Sequence, residues 1–302
     1  MTLIDLLQQY TPIYIALVGI IGLLVGSFLN VVIYRLPVMM QREWHAGWQQ
    51  FATENAQALD TVDDPTHALP EASDEPFNLA VPRSRCPSCG SIIHAWQNIP
   101  ILSYLWIGGK CVNCKQPISM RYPLVEALTA ILSIICALKF GVTLQALSAI
   151  IITWSLIALS GIDFDTQLLP DSITLPLMWL GLLASLVPVF ASTTDAIIGA
   201  AAGYLSLWSV YWAFKIITKK EGMGYGDFKL LAALGAWFGW QSLPIIILLS
   251  SLVGAFVGIT MIIAMGRDRQ IPIPFGPYLA AAGWLAMIMG EQLTSMYFNL
   301  YA

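Results

Sequence analysis

Charged residues are scarce in this chain. Only 11% of its 302 residues are Asp, Glu, Lys or Arg, whereas an ordinary soluble domain carries roughly 25%. Hydrophobic residues make up 57% of the chain, and the mean hydropathy is +0.71. This composition excludes an ordinary soluble protein and predicts an all-α polytopic membrane protein.

Basic residues are also missing from the start of the chain, where no Lys or Arg precedes Arg35. The apolar run from about residue 13 to residue 34 is longer than the roughly 7–15 residues of a signal-peptide core. We therefore expect this run to remain in the protein as a membrane-spanning helix rather than to be removed as a secretory signal.

Runs near the roughly 20 residues that a bilayer core requires predict about eight spans. They lie at about 12–34, 122–141, 143–162, 172–191, 194–217, 228–241, 243–265 and 275–298. All Lys and Arg residues except Lys139 then fall in or beside the loops on one side of the membrane, which are 35–121, 163–171, 218–227 and 266–274. The positive-inside rule assigns that side to the cytoplasm and both termini to the other side.

Two aspartates lie where apolar runs meet cytoplasmic loops. Asp163 belongs to Ser-Gly-Ile-Asp-Phe-Asp at 160–165, and Asp227 ends Gly-Met-Gly-Tyr-Gly-Asp at 222–227. An ionisable residue at that depth is costly, which makes it a functional-site hypothesis. Two carboxyls that share a proton can activate water for peptide hydrolysis. The sequence puts both at one membrane level, but it does not show that they meet.

The alternative interpretation is that these acids are polar residues at helix ends. For Asp165 and Asp171 this interpretation is as favoured as a functional role. Asp171 follows Pro170 and could cap the fourth span. The same interpretation is less favoured for Asp163 and for Asp227, and Asp227 follows Gly224 and Gly226. Glycines allow a backbone to approach another chain closely or to adopt positive φ.

Four of the five cysteines form two CxxC pairs, Cys86 with Cys89 and Cys111 with Cys114. Residues 90–110 separate the pairs, a little more than the roughly 15–20 typical of a zinc ribbon. Four thiolates suit tetrahedral zinc in a closed structural site, which leaves no need for the nearby His94 as a ligand. Disulfides are the alternative, but a cytoplasmic loop is reducing. The fifth, Cys136, is expected to be a buried apolar side chain.

These features predict three regions: a first transmembrane helix at 1–37, a cytoplasmic zinc-ribbon-like loop domain with the four-cysteine zinc site at 38–121, and a helical membrane aspartyl protease domain at 122–302. Residues 43–76 form an acidic, proline-containing insertion within the loop. It could attract basic segments of a substrate, or it could be a variable surface loop, which is the more ordinary role of a charge run.

Several motifs together resemble one family. The run from Gly222 to Leu230, with Asp163 and the Leu-Leu-Pro-Asp at 168–171, is similar to the type IV prepilin peptidases, a branch of the GxGD membrane aspartyl proteases. Residues 26–37 resemble the family's N-terminal signature, and residues 121–126 resemble a further stretch of the family's pattern. The resemblance covers most of the chain.

The resemblance implies a bifunctional enzyme of the bacterial inner membrane. Such enzymes cut the basic leader from prepilins and pseudopilins after a glycine, on the cytoplasmic side, and then methylate the new N-terminus with S-adenosylmethionine. Asp163 and Asp227 match the two catalytic aspartates, and Asp165 is the competitor for the first role. Gly224, Gly226 and Lys229 belong to the supporting motif.

The methyltransferase site cannot be derived from the residues, because the chain lacks the glycine-rich turn of a soluble nucleotide-binding fold. The resemblance implies that S-adenosylmethionine binding involves the cysteine-bearing loop, including residues 94–100. Glu126 and Arg121 could form a charge pair there, or Glu126 could assist near the amine. The expected partners are prepilins, pseudopilins and the lipid bilayer, with no nucleic acid.

Other function classes explain less. A carboxylate-based transporter usually places its acids near the bilayer midplane, within repeated and broken helices. An adaptor built around a zinc ribbon explains the cysteines but not the aspartates. A membrane aspartyl peptidase without methyltransferase activity remains the nearest alternative.

Overall fold

A computed structural model describes residues 3–54, 76–220, 222–265 and 273–299, and this part of the chain is mainly helical. We number its α-helices in chain order: α1 Leu3–Gln9, α2 Thr11–Glu54, α3 Leu102–Trp106, α4 Arg121–Phe140, α5 Leu144–Thr166, α6 Asp171–Ala184, α7 Thr193–Thr218, α8 Tyr225–Phe238, α9 Leu243–Met265 and α10 Gly276–Asn299. Most of the acidic insertion, together with Arg267 and Arg269, lies outside the described residues.

Each of the eight predicted spans overlaps one of the helices α2 and α4–α10. The bounds differ most at α2, which continues to Glu54 instead of ending near residue 34, and at α6, which ends at Ala184 instead of near residue 191. Five of these helices, α2, α4, α5, α7 and the α9 region, are long and apolar enough to cross a membrane. A multi-pass membrane protein is therefore confirmed, while the count of eight spans stays a prediction. Local signals set several ends: Thr143 caps α5 by accepting from the Ala146 N–H, and Gly141 ends α4 at φ 64°.

Helix α2 is much longer than a bilayer requires. Its 44 residues extend about 66 Å at 1.5 Å per residue, against a hydrocarbon core of about 30 Å. The cysteine-bearing loop returns to this helix beside Arg35, whose guanidinium donates to the Asn78 and Pro82 carbonyls at 2.8 and 2.6 Å. Arg42 stacks on the Phe77 ring, 4.4 Å from its centroid. These contacts hold the loop against the projecting helix.

Helix α8 is the centre of the C-terminal half. It has only 14 residues, and most of them are buried by α6, α7 and α10. A helix that is apolar on every side belongs in a core. This position explains why the sixth predicted span is short.

The close approach of α7 and α8 depends on small residues. A Cβ on Gly199 would collide with the Gly235 carbonyl, and a Cβ on Gly203 would lie 2.6 Å from the Leu231 carbonyl oxygen. The two glycines, four residues apart in α7, therefore permit this close packing of α7 against α8.

Helix α5 joins the two halves of the molecule. One side packs with α2 and α4 around a small core that includes Ile33, Ile157 and Ile162. The other side packs with α10 and belongs to the larger core around α8. Because Asp163 lies in the last turn of α5, it sits where these packing arrangements meet.

Candidate active site

Asp163 lies in the last turn of α5 and contacts the first residue of α10. Its side chain is buried near the C-terminus of α5, and its Oδ2 accepts a hydrogen bond from the Gly276 N–H at 2.9 Å. A Cβ on Gly276 would lie only 2.8 Å from that oxygen. Glycine therefore permits the backbone to approach, and the first turn of α10 offers its positive end to the carboxylate.

Asp227 lies in the first turn of α8 and is also buried. Its Oδ1 has no hydrogen-bond partner among the described residues. An unpaired buried oxygen costs about 1–3 kcal/mol and requires an explanation. A water molecule or a substrate atom that reaches the carboxyl would provide one.

The structure brings the two aspartates together. Their carboxyls are near enough to interact electrostatically. Leu169, in the turn between α5 and α6, packs against Gly226, which precedes Asp227, and against Gly276, which binds Asp163. A Cβ on Gly226 would lie 2.6 Å from the Leu169 Cβ, and a Cβ on Gly276 would lie 3.0 Å from the Leu169 Cδ2. One leucine thus fixes the spacing of the elements that carry the two acids.

Asp165, the competitor for the first role, points elsewhere. Its carboxylate is partly exposed and forms an ion pair with Arg121 at 2.7 Å, and Arg121 also donates to the Gly161 carbonyl at 3.2 Å. In the part of the chain that the structure describes, Arg121 therefore pairs with Asp165 rather than with Glu126, as considered from the sequence. Glu126 is instead buried and accepts the Ile101 N–H at 2.8 Å.

The remaining motif residues brace the site. Lys229 contacts both oxygens of Asp171, at 2.7 and 2.8 Å, which ties α8 to the start of α6. Asp171 is the first helical residue after Pro170 and not the cap. Positive φ is not the reason for the motif glycines: Gly224 is extended at φ −80°, and Gly226 is required for its contact with Leu169.

Sequence reasoning missed Gly276, whose N–H binds Asp163. Its signal was the Phe-Gly-Pro at 275–277, in which Pro277 occupies the first turn of the last helix. Proline is favoured there because its missing N–H has no helical partner. That pattern indicates a helix start, but the sequence cannot say which acid the helix start will meet.

The four paired cysteines converge in the loop between α2 and α4. Their sulfurs all lie within 4.8 Å of one another, and Cys86 Sγ is 3.8 Å from Cys114 Sγ. Four sulfurs placed tetrahedrally about 2.3 Å from a zinc ion are about 3.8 Å apart. All four are free thiols, as is the buried Cys136. The donor set and its spacing fit a closed zinc site with four cysteine ligands.

The two cysteine pairs sit on matching turns. In the first, the Gly90 N–H donates to the Cys86 carbonyl, and Gly90 has φ 69°. In the second, the Lys115 N–H donates to the Cys111 carbonyl, and Lys115 has φ 61°. The Ser91 hydroxyl, 3.1 Å from Cys89 Sγ, together with the Ser91 backbone, lowers the pKa of that thiol to about 6. The pKa of the Cys114 thiol is instead raised to about 11: the Gln116 backbone lowers it, but burial and the Cys89, Cys111 and Cys86 side chains raise it by more. The Cys89 thiol therefore loses its proton more readily than the Cys114 thiol.

Comparisons with known proteins agree across the chain. The family description "Bacterial Peptidase A24 N-terminal domain" matches residues 20–140, and "Type IV leader peptidase family" matches residues 150–259. Two proteins named prepilin leader peptidase/N-methyltransferase, from Aeromonas hydrophila and Pseudomonas aeruginosa, are each 53% identical to this chain. Each match covers 98% of this chain, together with 97% of the Aeromonas protein and 98% of the Pseudomonas protein. The protein of that name from Dichelobacter nodosus is 50% identical, with 98% of both chains covered.

No solved structure matches the chain. The full-length similarity to these relatives nevertheless agrees with the motifs around Asp163 and Asp227. On this evidence the chain belongs to the type IV leader peptidase family.

Proposed function

We propose that this enzyme removes the basic leader peptide from type IV prepilins and pseudopilins, after a glycine, and then methylates the new N-terminal amine. The observation that carries the peptidase proposal is the buried pair Asp163 and Asp227, of which one carboxyl oxygen has no partner among the described residues. The names of the relatives support both activities.

In the proposed cleavage step the two aspartates share one proton. Asp163 already accepts the Gly276 N–H, so it is the better candidate for the ionised partner that takes a proton from water. Asp227 then carries the shared proton and donates it to the carbonyl oxygen of the scissile peptide. The water adds to the carbonyl carbon and gives its proton to Asp163. When the tetrahedral intermediate collapses, the C–N bond breaks, the leaving amine takes the proton from Asp163, and Asp227 regains a proton from the hydroxyl that becomes the new carbonyl.

The substrate backbone is expected to pass beside Gly224. A Cβ at this position would find no atom nearer than the Asp227 carboxyl oxygen, 3.9 Å away. The space next to the acid is therefore open at the loop before α8. An extended peptide with glycine at the cleavage point can approach the carboxyl closely because it lacks a side chain there.

For the loop we propose one structural zinc ion held by Cys86, Cys89, Cys111 and Cys114. The second cofactor is S-adenosylmethionine, which supplies the methyl group when it is bound. The proposed regions remain 1–37, 38–121 and 122–302.

The proposed location is the bacterial inner membrane with the active site facing the cytoplasm. The distribution of Lys and Arg supports this orientation. Both aspartates then meet the leader on the side where prepilins are made.

The test is to incubate the purified, membrane-embedded protein with a prepilin and measure leader release and the mass of the mature N-terminus. We expect loss of the leader and a mass gain of one methyl group when S-adenosylmethionine is supplied. Cleavage without methylation would support the peptidase-only alternative. Absence of cleavage by well-folded protein would overturn the proposal and reopen the transporter and adaptor interpretations.

A further inference from the structure

The short helix α3, in the cysteine-bearing loop, turns its apolar side chains outward. Leu102, Leu105 and Trp106 stand at positions i, i+3 and i+4, which share one face of a helix. These three residues are 59%, 68% and 77% exposed, whereas Ser103 of the same helix is buried. The usual surface helix does the reverse and turns its apolar face toward the core. The exposed face of α3 therefore indicates an apolar partner.

Helix α3 lies beside the first turns of α4. The Ile101 N–H donates to Glu126 Oε2 at 2.8 Å, and the Tyr104 hydroxyl donates to the Ile118 carbonyl oxygen at 3.3 Å. Glu126 lies in the second turn of α4, about 7 Å beyond the first residue of this helix at 1.5 Å per residue. Helix α4 is long and apolar enough to cross a membrane, so α3 starts at the depth of the membrane boundary. Interfacial helices bury their apolar faces about 5–10 Å into this boundary.

The bend that leads into α3 is imposed by the fold. Ile101 has φ 58°, a conformation that a β-branched residue rarely adopts. Such a conformation persists only where the surrounding contacts require it. The hydrogen bond from the Ile101 N–H to the buried Glu126 is a contact of this kind. The apolar face of α3 is therefore held in place at the boundary.

The apolar face of α3 adjoins an exposed apolar stripe on α4. The stripe consists of large apolar side chains three or four residues apart, all of them exposed: Met120, Leu124, Leu128 and Ile131. The last three belong to the membrane-spanning helix, where lipid chains are the neighbours of an exposed side chain. Met120 meets α3, because its sulfur lies 2.9 Å from the Tyr104 hydroxyl oxygen. One apolar surface thus runs from the span onto the loop.

A cleft beside this face carries positive charge. Its volume is about 400 Å³, and Trp106 belongs both to the cleft and to the apolar face of α3. Two ammonium groups, of Lys110 and Lys115, reach the cleft, and none of its six lining residues is acidic. These residues are Trp96, Trp106, Ile107, Lys110, Val112 and Lys115. Indole rings are typical of membrane interfaces, and ammonium groups there attract anionic headgroups.

We propose that α3 docks on the membrane leaflet at its own side of the bilayer, with an anionic phospholipid headgroup in the cleft. Leu102, Leu105 and Trp106 insert among the upper acyl chains, and the ammonium groups of Lys110 and Lys115 bind the phosphate. The cysteine-bearing loop is then held at the membrane surface by contacts of its own as well as by the helices at its two ends. The docking goes beyond the two proposed activities and does not depend on either of them.

The test uses the full-length protein in nanodiscs of phosphatidylcholine and phosphatidylglycerol. A photoreactive benzoylphenylalanine replaces one residue at a time, and mass spectrometry identifies what it cross-links after irradiation. The test positions are Leu102 and Leu105, and Leu128 on the lipid-facing stripe of α4 is the positive control. The negative control is Trp48, an exposed residue of α2 about 21 Å beyond the predicted end of the first span at 1.5 Å per residue. Thermal unfolding establishes that each variant is folded.

We expect at least about tenfold more lipid adduct at positions 102 and 105 than at position 48, because only the first two insert into the leaflet. Two test positions guard against a single variant that misfolds. Lipid adduct at position 128 without any at 102 and 105 would overturn the docking, and so would equal yields at 105 and 48. Cross-links from 102 and 105 to a second copy of the chain instead of lipid would also overturn it.

Nanodiscs of phosphatidylcholine alone test the headgroup contact. Omission of phosphatidylglycerol should lower the lipid adduct at position 105 by at least about fivefold, the scale of one lysine near an anionic surface. The added double substitution Lys110→Gln and Lys115→Gln should remove this dependence on phosphatidylglycerol. The matched control, Lys219→Gln with Lys220→Gln at the end of α7, should retain it. A yield that does not depend on phosphatidylglycerol in the protein with all four lysines would overturn the anionic headgroup in the cleft.

Discussion

The aspartate pair and the cysteine cluster are built in opposite ways. Asp163, Asp227 and Gly276 come from three distant helix ends and meet only because buried helices pack around α8. The four cysteines come from two short turns that the backbone closes locally, and Cys89 is exposed. The first site therefore depends on the membrane core, whereas the second would depend on the proposed zinc ion to tie its two turns together. Mutations should separate the two dependencies.

The largest effect should follow from neutralising the aspartates. Asp163→Asn and Asp227→Asn should each lower cleavage by about 10²–10⁴-fold, since each removes the acid or the base of the pair. Prepilin cleavage by equal amounts of inserted protein measures the effect. Asp165→Asn is the matched control and should retain substantial activity, because its carboxylate pairs with Arg121. An inactive Asp165→Asn beside an active Asp163→Asn would reverse the assignment.

The same variant tests whether the two sites are independent. Given a pilin that is already cleaved, folded Asp227→Asn protein should still transfer a methyl group, because an aspartyl pair supplies neither cofactor nor free amine. Loss of methylation in this experiment would mean that the sites overlap.

The next effect concerns the metal. The protein should contain about one zinc ion per chain, and Cys111→Ser should lower both zinc content and the stability of the loop. Methylation should fall more than cleavage, because the cluster lies outside the aspartate site. Elemental analysis and limited proteolysis measure these changes, with Cys136→Ser as the comparison outside the cluster. A parent protein purified without chelators and free of zinc would contradict the metal site.

How much of this could be predicted from sequence differs between the two sites. The cysteine site can be predicted from the sequence because each CxxC pair needs only a local turn. The spacing of the cysteines is enough to identify the four candidate ligands. The motifs also indicate Asp163 and Asp227, but their meeting depends on Leu169 and Gly276, whose roles arise only from packing. The partner of Arg121 was missed for the same reason: Asp165 is 44 residues away in sequence, near the end of the next helix.

A smaller effect is expected at Gly276. A methyl group there would lie 2.8 Å from Asp163 Oδ2 and 3.0 Å from Leu169 Cδ2, so Gly276→Ala must displace the carboxylate or the leucine. The displaced carboxylate is still present but is misaligned by a fraction of an ångström. We therefore expect the cleavage rate to fall by about tenfold. Gly290→Ala, in the same helix with no atom within 4 Å of the added Cβ, is the control. Equal rates for both variants would contradict the contact.

The smallest effect tests the ion pair that joins the two regions. Arg121 starts α4 directly after the cysteine-bearing loop, while Asp165 lies two residues beyond Asp163, so this pair is a direct link between them. Both side chains are about 40% exposed, and an exposed pair contributes only about 0.2–1 kcal/mol. A double-mutant cycle with Arg121→Gln and Asp165→Asn, measured by thermal unfolding, should give a coupling in this range and leave cleavage within about twofold. The aspartate pair is held by buried helix packing, which a screened surface contact cannot replace. A cleavage loss comparable to that of Asp163→Asn would therefore show that the ion pair, and not only the core, positions the catalytic acid.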